Sequence, residues 1–192
     1  MRKVFLDLGA NKGQSIEQAL HTLLKDTDEY TIHSFEPNPD LCFHMMEKYR
    51  DNSNIHIHNK AVWYEPDTLK FYTAKDPIAS SLLIEKKTGN LNKDRYIETE
   101  CIDISLWIED NLDKEDYNIF KIDIEGAEYF VLPHLIKNNT LEYFNEFHGE
   151  WHLRKLDDSN KFFSNTEQEI KEYFKENGIE FHNWDATLFR KR

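Results

Sequence analysis

The 192-residue sequence predicts a single α/β domain with a mostly parallel sheet, helices on both faces and an antiparallel hairpin at the C-terminal edge. Three observations predict it. Apolar residues at a period of two alternate with apolar residues at helical spacing from the N-terminus onward. A glycine-containing turn joins the first strand to the first helix, and an acid closes the second strand. Strand, helix, strand, helix, strand in that order requires parallel pairing with crossover helices.

Val4, Phe5, Leu6 and Leu8 make a short apolar strand, after which Ile16, Ala19, Leu20, Leu23 and Leu24 recur at helical spacing. A second strand is expected from about Thr31 to Phe35. A helix follows with Leu41, Met45 and Tyr49 on one face, then a third strand from Ile55 to His58. Leu69 to Thr73 and Ile97 to Ile102 read as strands, and the polar stretch 74–96 between them as a lid or insertion over a ligand. Ser105 to Asn111 reads as a short helix. Tyr117 to Ile124 is a buried strand, and the helix after it runs from about Gly126 to Lys137, kinked or restarted by Pro133. Tyr143 to Trp151 is a further strand. Thr166 and Glu169 form a capping box for a helix that Gly178 ends, with Ile170, Tyr173 and Phe174 buried. Ile179 to Trp184 and Thr187 to Arg190 complete the edge hairpin. No repeat or low-complexity tract divides the chain, so one domain spanning 1–192 is expected.

The formal net charge of −12 argues against a nucleic-acid substrate, because phosphate contacts demand a basic face. The basic Arg190, Lys191 and Arg192 read as a solvated tail. Cys42 and Cys101 lack metal spacing and read as buried thiols in a reducing compartment. The first strand begins near Lys3, leaving no room for a leader, and no apolar run approaches membrane-spanning length. A cytoplasmic location is the expectation.

VFLDLGANKGQ, residues 4–14, reads as strand, turn and helix start, with Asp7, Gly9 and Gly13 in the pattern D-x-G-x-x-x-G. Glycines let the turn approach a ligand closely. Asn11 stands where a dinucleotide fingerprint needs its second glycine, and Lys12 precedes Gly13 instead of following it as in a phosphate loop. A carboxylate at Asp7 would repel a diphosphate and favour a ligand carrying ammonium or sulfonium charge. S-adenosylmethionine has both and no phosphate. Glu36, 23 residues after Gly13 in HSFEPNP, can accept hydrogen bonds from both hydroxyls of a ribose. Pro37 and Pro39 fix the following turn, and Asn38 can line the adenine end.

KIDIEGAE, Lys121 to Glu128, closely resembles the signature of the FkbM family of methyltransferases. VFLDLGANKGQ resembles the family's first motif, FEPNP its second, and NKAV, Asn59 to Val62, the piece after the third strand. Ser80-Ser81-Leu82 resembles the family's serine-containing loop, ECIDI, residues 100–104, the step before the fourth strand, and NEFHGEWH, Asn145 to His152, the fifth strand. The resemblance implies a Rossmann-like methyltransferase domain with a seven-stranded sheet and O-methylation of sugar, glycan or small-metabolite hydroxyls. It implies S-adenosylmethionine contacts at Asp7, Gly9, Asn11, Glu36 and Asn59, and the neighbouring Ala10, Gly13, Pro37, Asn38, Ala61 and Asp123 join that set. The chain is short for such a domain and an extra N-terminal domain is not expected, so acceptor recognition is expected to be reduced or supplied by a partner.

Methyl transfer needs the nucleophile held in line and its proton removed. Ligands of open α/β sheets lie beyond the carboxyl ends of the strands. Asp123, Glu125, Glu150 and His152 lie at two such ends, with His152 or Glu125 as base and Asp123 and Glu150 orienting it. The family pattern aligns on Glu146-x-His148 or Glu150-x-His152, and the second is preferred. Other readings are blander. Asp123 can bond amides of the next helix, and Glu128 reads as a solvated first-turn acid. A metal at His148, Glu150 and His152 needs a bend, since strand residues i and i+4 stand ~13 Å apart, so none is expected. His56 and His58 read as packing or surface residues. Trp63, Trp107, Trp151 and Trp184 read as core, although Trp151 could stack on a sugar. A nucleic-acid or protein methyltransferase, or a nucleoside-binding module without catalysis, remain the rivals.

Overall fold

The computed structural model describes residues 1–185. In chain order the elements are β1 (Lys3–Leu8), α1 (Gln14–His21), β2 (Tyr30–Phe35), α2 (Pro39–Tyr49), β3 (Ile55–His58), β4 (Ala61–Trp63), β5 (Asp67–Tyr72), β6 (Tyr96–Asp103), α3 (Ile104–Asn111), β7 (Tyr117–Ile122), α4 (Glu128–Lys137), β8 (Glu146–Gly149), α5 (Phe162–Glu176) and β9 (Phe181–Asn183). Six strands form a parallel sheet in the order β3-β2-β1-β7-β8-β9. A second sheet, β4-β6-β5, pairs β4 parallel and β5 antiparallel to β6.

Alternation along the central strands divides the core between the two faces. Phe5 and Ile119 point to the side of Ile16 and Ala19 of α1 and Met45 and Tyr49 of α2. Val4, Leu6, Leu8, Phe120 and Ile122 point to the side of Ile108, Val131, Leu132, Ile170 and Phe174, on α3, α4 and α5. The strand order reverses between β1 and β7, so the loops after these two strands open a crevice at the carboxyl edge.

The structure differs from the sequence reading in several places. The strands divide between a six-stranded and a three-stranded sheet instead of joining one seven-stranded sheet. β9, the first arm of the expected C-terminal hairpin, lies parallel to β8, with Phe147 opposite Phe181. The loop through α5 carries the chain back to the start of the sheet, a crossover that enforces parallel pairing. The hairpin's second arm, Thr187 to Arg190, and the basic tail lie outside the described residues. Thr166 is inside α5 and no capping box forms there; Asp158 Oδ1 instead accepts the amides of Phe163 and Ser164. Of Tyr143–Trp151 only β8 is strand, because a 3-10 turn at Thr140–Tyr143 occupies the approach. Pro133 lies within α4, which runs uninterrupted from Glu128. Both cysteines are buried and free. Among the described residues no helix is long and apolar enough to cross a membrane.

Candidate functional site

The crevice holds a cavity with about 880 Å³ of free space, its mouth included. Gly9, Ala10 and Asn11 line it from the β1 loop, Glu36 and Pro37 from the end of β2, Ala61 and Val62 from β4, and Lys121, Asp123 and Glu125 from the end of β7. The glycine loop is packed against the end of β7. Gly9 has φ +94°, and a Cβ there would stand 2.0 Å from the Asp123 carbonyl oxygen. Only glycine permits that approach. Asn11 and Glu125, both in the cavity lining, also hold left-handed backbone, at φ 51° and 55°, a conformation that non-glycine residues keep only when the surroundings impose it.

Glu36 is 5% exposed. Its Oε2 accepts the Asn11 amide at 2.9 Å and its Oε1 the Asn38 amide at 2.9 Å. Burial pushes its carboxyl up to about 7, against the pull of those two amides. Asn59 clamps the same turn, its Nδ2 donating to the carbonyls of Glu36 and Pro37 at 3.0 and 3.1 Å. Asn38 caps α2, accepting the amides of Asp40 and Leu41, with Pro39 at the first helical position.

Asp7 is fully buried beneath the glycine loop. Its Oδ2 accepts from Ser15 Oγ at 2.5 Å and Ser34 Oγ at 3.1 Å, and its Oδ1 pairs with Lys121 Nζ at 2.9 Å. Lys121 Nζ also donates to the Gly9 carbonyl at 2.7 Å and stands 3.9 Å from Asp123 Oδ2. Burial alone would lower this ammonium's pKa, but Asp7 and Asp123 outweigh it and the net shift is upward. One buried cation thus ties β1, its loop and the end of β7 together.

Four carboxylates surround His152, which is fully buried just past β8. Nδ1 is 2.9 Å from Glu128 Oε1, while Nε2 stands 3.5 Å from Asp123 Oδ1, 3.6 Å from Glu150 Oε2 and 3.8 Å from Glu125 Oε1. Burial opposes charge on the ring, but Glu128, Glu150 and Glu125 together push it up to about 10. Burial raises the Asp123 carboxyl, against Lys121 and His152. Glu125 is held by Lys86 at 2.7 Å and Lys155 at 3.0 Å. Lys86 comes from the 74–96 stretch, its side chain wholly buried, and Ser81 Oγ of the same stretch donates to the Glu125 carbonyl at 2.9 Å. That stretch is therefore packed on the wall of the cavity.

Gly9, Ala10, Asn11, Glu36, Pro37, Ala61 and Asp123 of the expected donor set line the cavity; Asp7, Gly13, Asn38 and Asn59 do not. Asp123, Glu125, Glu150 and His152 are brought together as expected. Glu128 is corrected: it is fully buried, not solvated, because it accepts the amides of Ile124 and Gly126 and faces His152. His148 pairs with Glu146 at 2.7 Å, away from this cluster. Trp151 packs between Tyr129, Phe181 and the Lys171 ammonium and does not line the cavity, whereas Trp184 does. Lys121 and Lys86 went unassigned in the sequence. A lysine inside the apolar run NIFKI was a legible signal for the first; nothing local marks the second.

A family model described as the methyltransferase FkbM domain matches residues 7–181. Among solved structures, the chain is similar to a methyltransferase FkbM from Methylobacillus flagellatus KT, at 16% identity and TM-score 0.50, over 85% of this chain and 37% of that one. It is also similar to a chain of a fibrillarin/Nop5p complex, at 16% identity and TM-score 0.42, over 89% of this chain and 61% of that one. The chain thus spans less than two thirds of either structure's length. No curated protein matches it.

Proposed function

The chain belongs to the methyltransferase FkbM domain family, and on that premise we propose that it transfers a methyl group from S-adenosylmethionine to a hydroxyl of a sugar, glycan or small metabolite. The observation that carries this reading is Glu36, a buried carboxylate at the cavity wall with two loop amides on it. A carboxylate offers roughly four acceptor sites, so capacity remains for the paired hydroxyls of a ribose.

The other wall groups fit the same ligand. Asn11 Oδ1 and Trp184 Nε1 are buried without hydrogen-bond partners, and both residues line the cavity. An acceptor and a donor left open in this way match the ammonium and carboxylate of an amino-acid tail. Three wall carboxylates, Glu36, Asp123 and Glu125, face two wall lysines, Lys60 and Lys121, and Asp7 neutralises the second. That balance disfavours a diphosphate.

The donor, when bound, supplies an electrophilic methyl group on a sulfonium. Glu36 holds the ribose, and Ala61 and Val62 form the apolar wall beside it. Asp123 and Glu125 both reach the cavity and His152, but Lys86 and Lys155 hold Glu125, so Asp123 orients the acceptor hydroxyl and draws its proton. His152 is buried out of an acceptor's reach and acts as a positioning residue. The acidic surface supports a small or neutral acceptor over a nucleic acid.

Thermal unfolding with S-adenosylhomocysteine tests the donor site: the ligand raises Tm of the wild type and leaves Glu36→Ala unmoved. An equal shift in both removes Glu36 from the site. Labelled methyl donor with a panel of glycans and metabolite fractions then identifies the acceptor.

A further inference from the structure

His152 carries a nitrogen that the reading above leaves unused. An ionised carboxylate only accepts hydrogen bonds, so the Glu128 contact puts the ring hydrogen on Nδ1. Glu128 is itself fixed by the amides of Ile124 at 2.7 Å and Gly126 at 2.8 Å. The ring therefore has one orientation, and its Nε2 carries either a proton or a metal ion. Its Nε2 is buried without a hydrogen-bond partner and points among carboxylates.

The spacing is informative. A charged N–H···O contact closes to ~2.7–2.9 Å. Asp123 Oδ1 and Glu150 Oε2 instead stand 3.5 and 3.6 Å from Nε2. Atoms bound to one ion at ~2.0–2.2 Å and tetrahedral angles lie ~3.3–3.6 Å apart. Candidate ligand atoms of Asp123, Glu128 and His152 all fall within 4.8 Å of one another; Glu128 is taken by Nδ1 and the amides of Ile124 and Gly126, and Glu150 joins the group through its 3.6 Å approach to Nε2. A carboxylate on the far nitrogen is the usual support of a metal-bound imidazole.

We infer that His152 Nε2, Asp123 Oδ1 and Glu150 Oε2 form a divalent-cation site, with Glu128 orienting the imidazole from behind. Glu125 stays outside the ligand set because Lys86 and Lys155 hold it. One imidazole and two carboxylates suit Mn²⁺ or Zn²⁺ better than Ca²⁺. Of the three ligands Asp123 alone lines the cavity, so it is the link between the ion and the acceptor's space, and its Oδ2 is left for the acceptor. The ion's use in methyl transfer rests on the proposed function; its binding does not.

The test is Mn²⁺ titration of the untagged chain, read by loss of the free-ion electron paramagnetic resonance signal, with and without S-adenosylhomocysteine. One Mn²⁺ per chain is expected, displaced by Zn²⁺. Glu128→Gln should weaken uptake by about 10–100-fold. Glu150→Gln, at a partly exposed position, should weaken it at least as much while circular dichroism stays unchanged. A folded wild type that binds S-adenosylhomocysteine but takes up neither metal overturns the site, as does unaltered affinity in Glu150→Gln; Nε2 then holds a proton. Metal uptake without S-adenosylhomocysteine binding would instead sink the methyl-transfer reading and leave the cation site standing.

Discussion

At Glu36, burial and ligand chemistry pull in opposite directions. Burial lifts the carboxyl to about 7, yet ribose hydroxyls donate to its ionised form. Donor binding must therefore hold the proton off. Affinity for S-adenosylhomocysteine should be full above pH 7 and fall about tenfold per pH unit below it. Calorimetry between pH 8 and 5.5 reads the slope, and a flat profile would mean the ligand does not touch Glu36. Gly9 is constrained by backbone instead of charge. At φ +94° an alanine costs more than about 1 kcal/mol from conformation alone, and its methyl would collide with the Asp123 carbonyl. Gly9→Ala should lower the urea midpoint and weaken donor binding together.

Between elements, Lys121 is the bolt that joins β7 to the β1 loop. Removing one partner of a buried ion pair costs about 3–5 kcal/mol, because the other charge stays buried alone. Lys121→Met should show a loss of that size in denaturant titrations, and adding Asp7→Asn should recover part of it. If the double variant is no better than the single, the Asp7 contact is not what makes the lysine costly to lose. A second inter-element contact stacks His33 of β2 on His56 and His58 of β3, with Trp107 of α3 against the edge. Burial first, then the neighbouring histidines, lowers His33 to about 3 and His58 to about 4. The unfolded chain binds these protons near pH 6.5, so the contribution is present above that pH and is lost as pH falls below it. Glu36, raised, acts in the opposite sense, so the difference between wild type and His33→Gln is the informative quantity. Their Tm values should converge as pH drops from 7 to 5.

Over the whole molecule, two apolar clusters share β1 and β7, one on each face. Neither face can open without exposing the other, so one unfolding transition is expected. Far-ultraviolet circular dichroism and tryptophan fluorescence should give coincident curves. Saturating S-adenosylhomocysteine, at about 100 times its Kd, should add about 2.7 kcal/mol to the whole transition. Two separated transitions would show that the β4-β6-β5 sheet unfolds independently. The cavity touches both sheets, through Ala61 and Val62 on one and Asp123 on the other. Ligand occupancy therefore reports on how they are held together.

The parallel α/β order, the glycine turn and the acid at the end of β2 were legible in the sequence, because each depends on residues within one strand-turn-helix unit. Local spacing sets alternation, turn geometry and strand-end chemistry. The direction of β9, the burial of Glu128 and the Lys86–Glu125 pair were decided only by the tertiary structure. Each joins segments remote in sequence: β9 to β8, α4 to the residue after β8, and the 74–96 stretch to the end of β7. A carboxylate in a first helical turn looks the same in sequence whether water or a histidine stands opposite. Packing supplies the histidine, and with it the charge arrangement on which the site's chemistry depends.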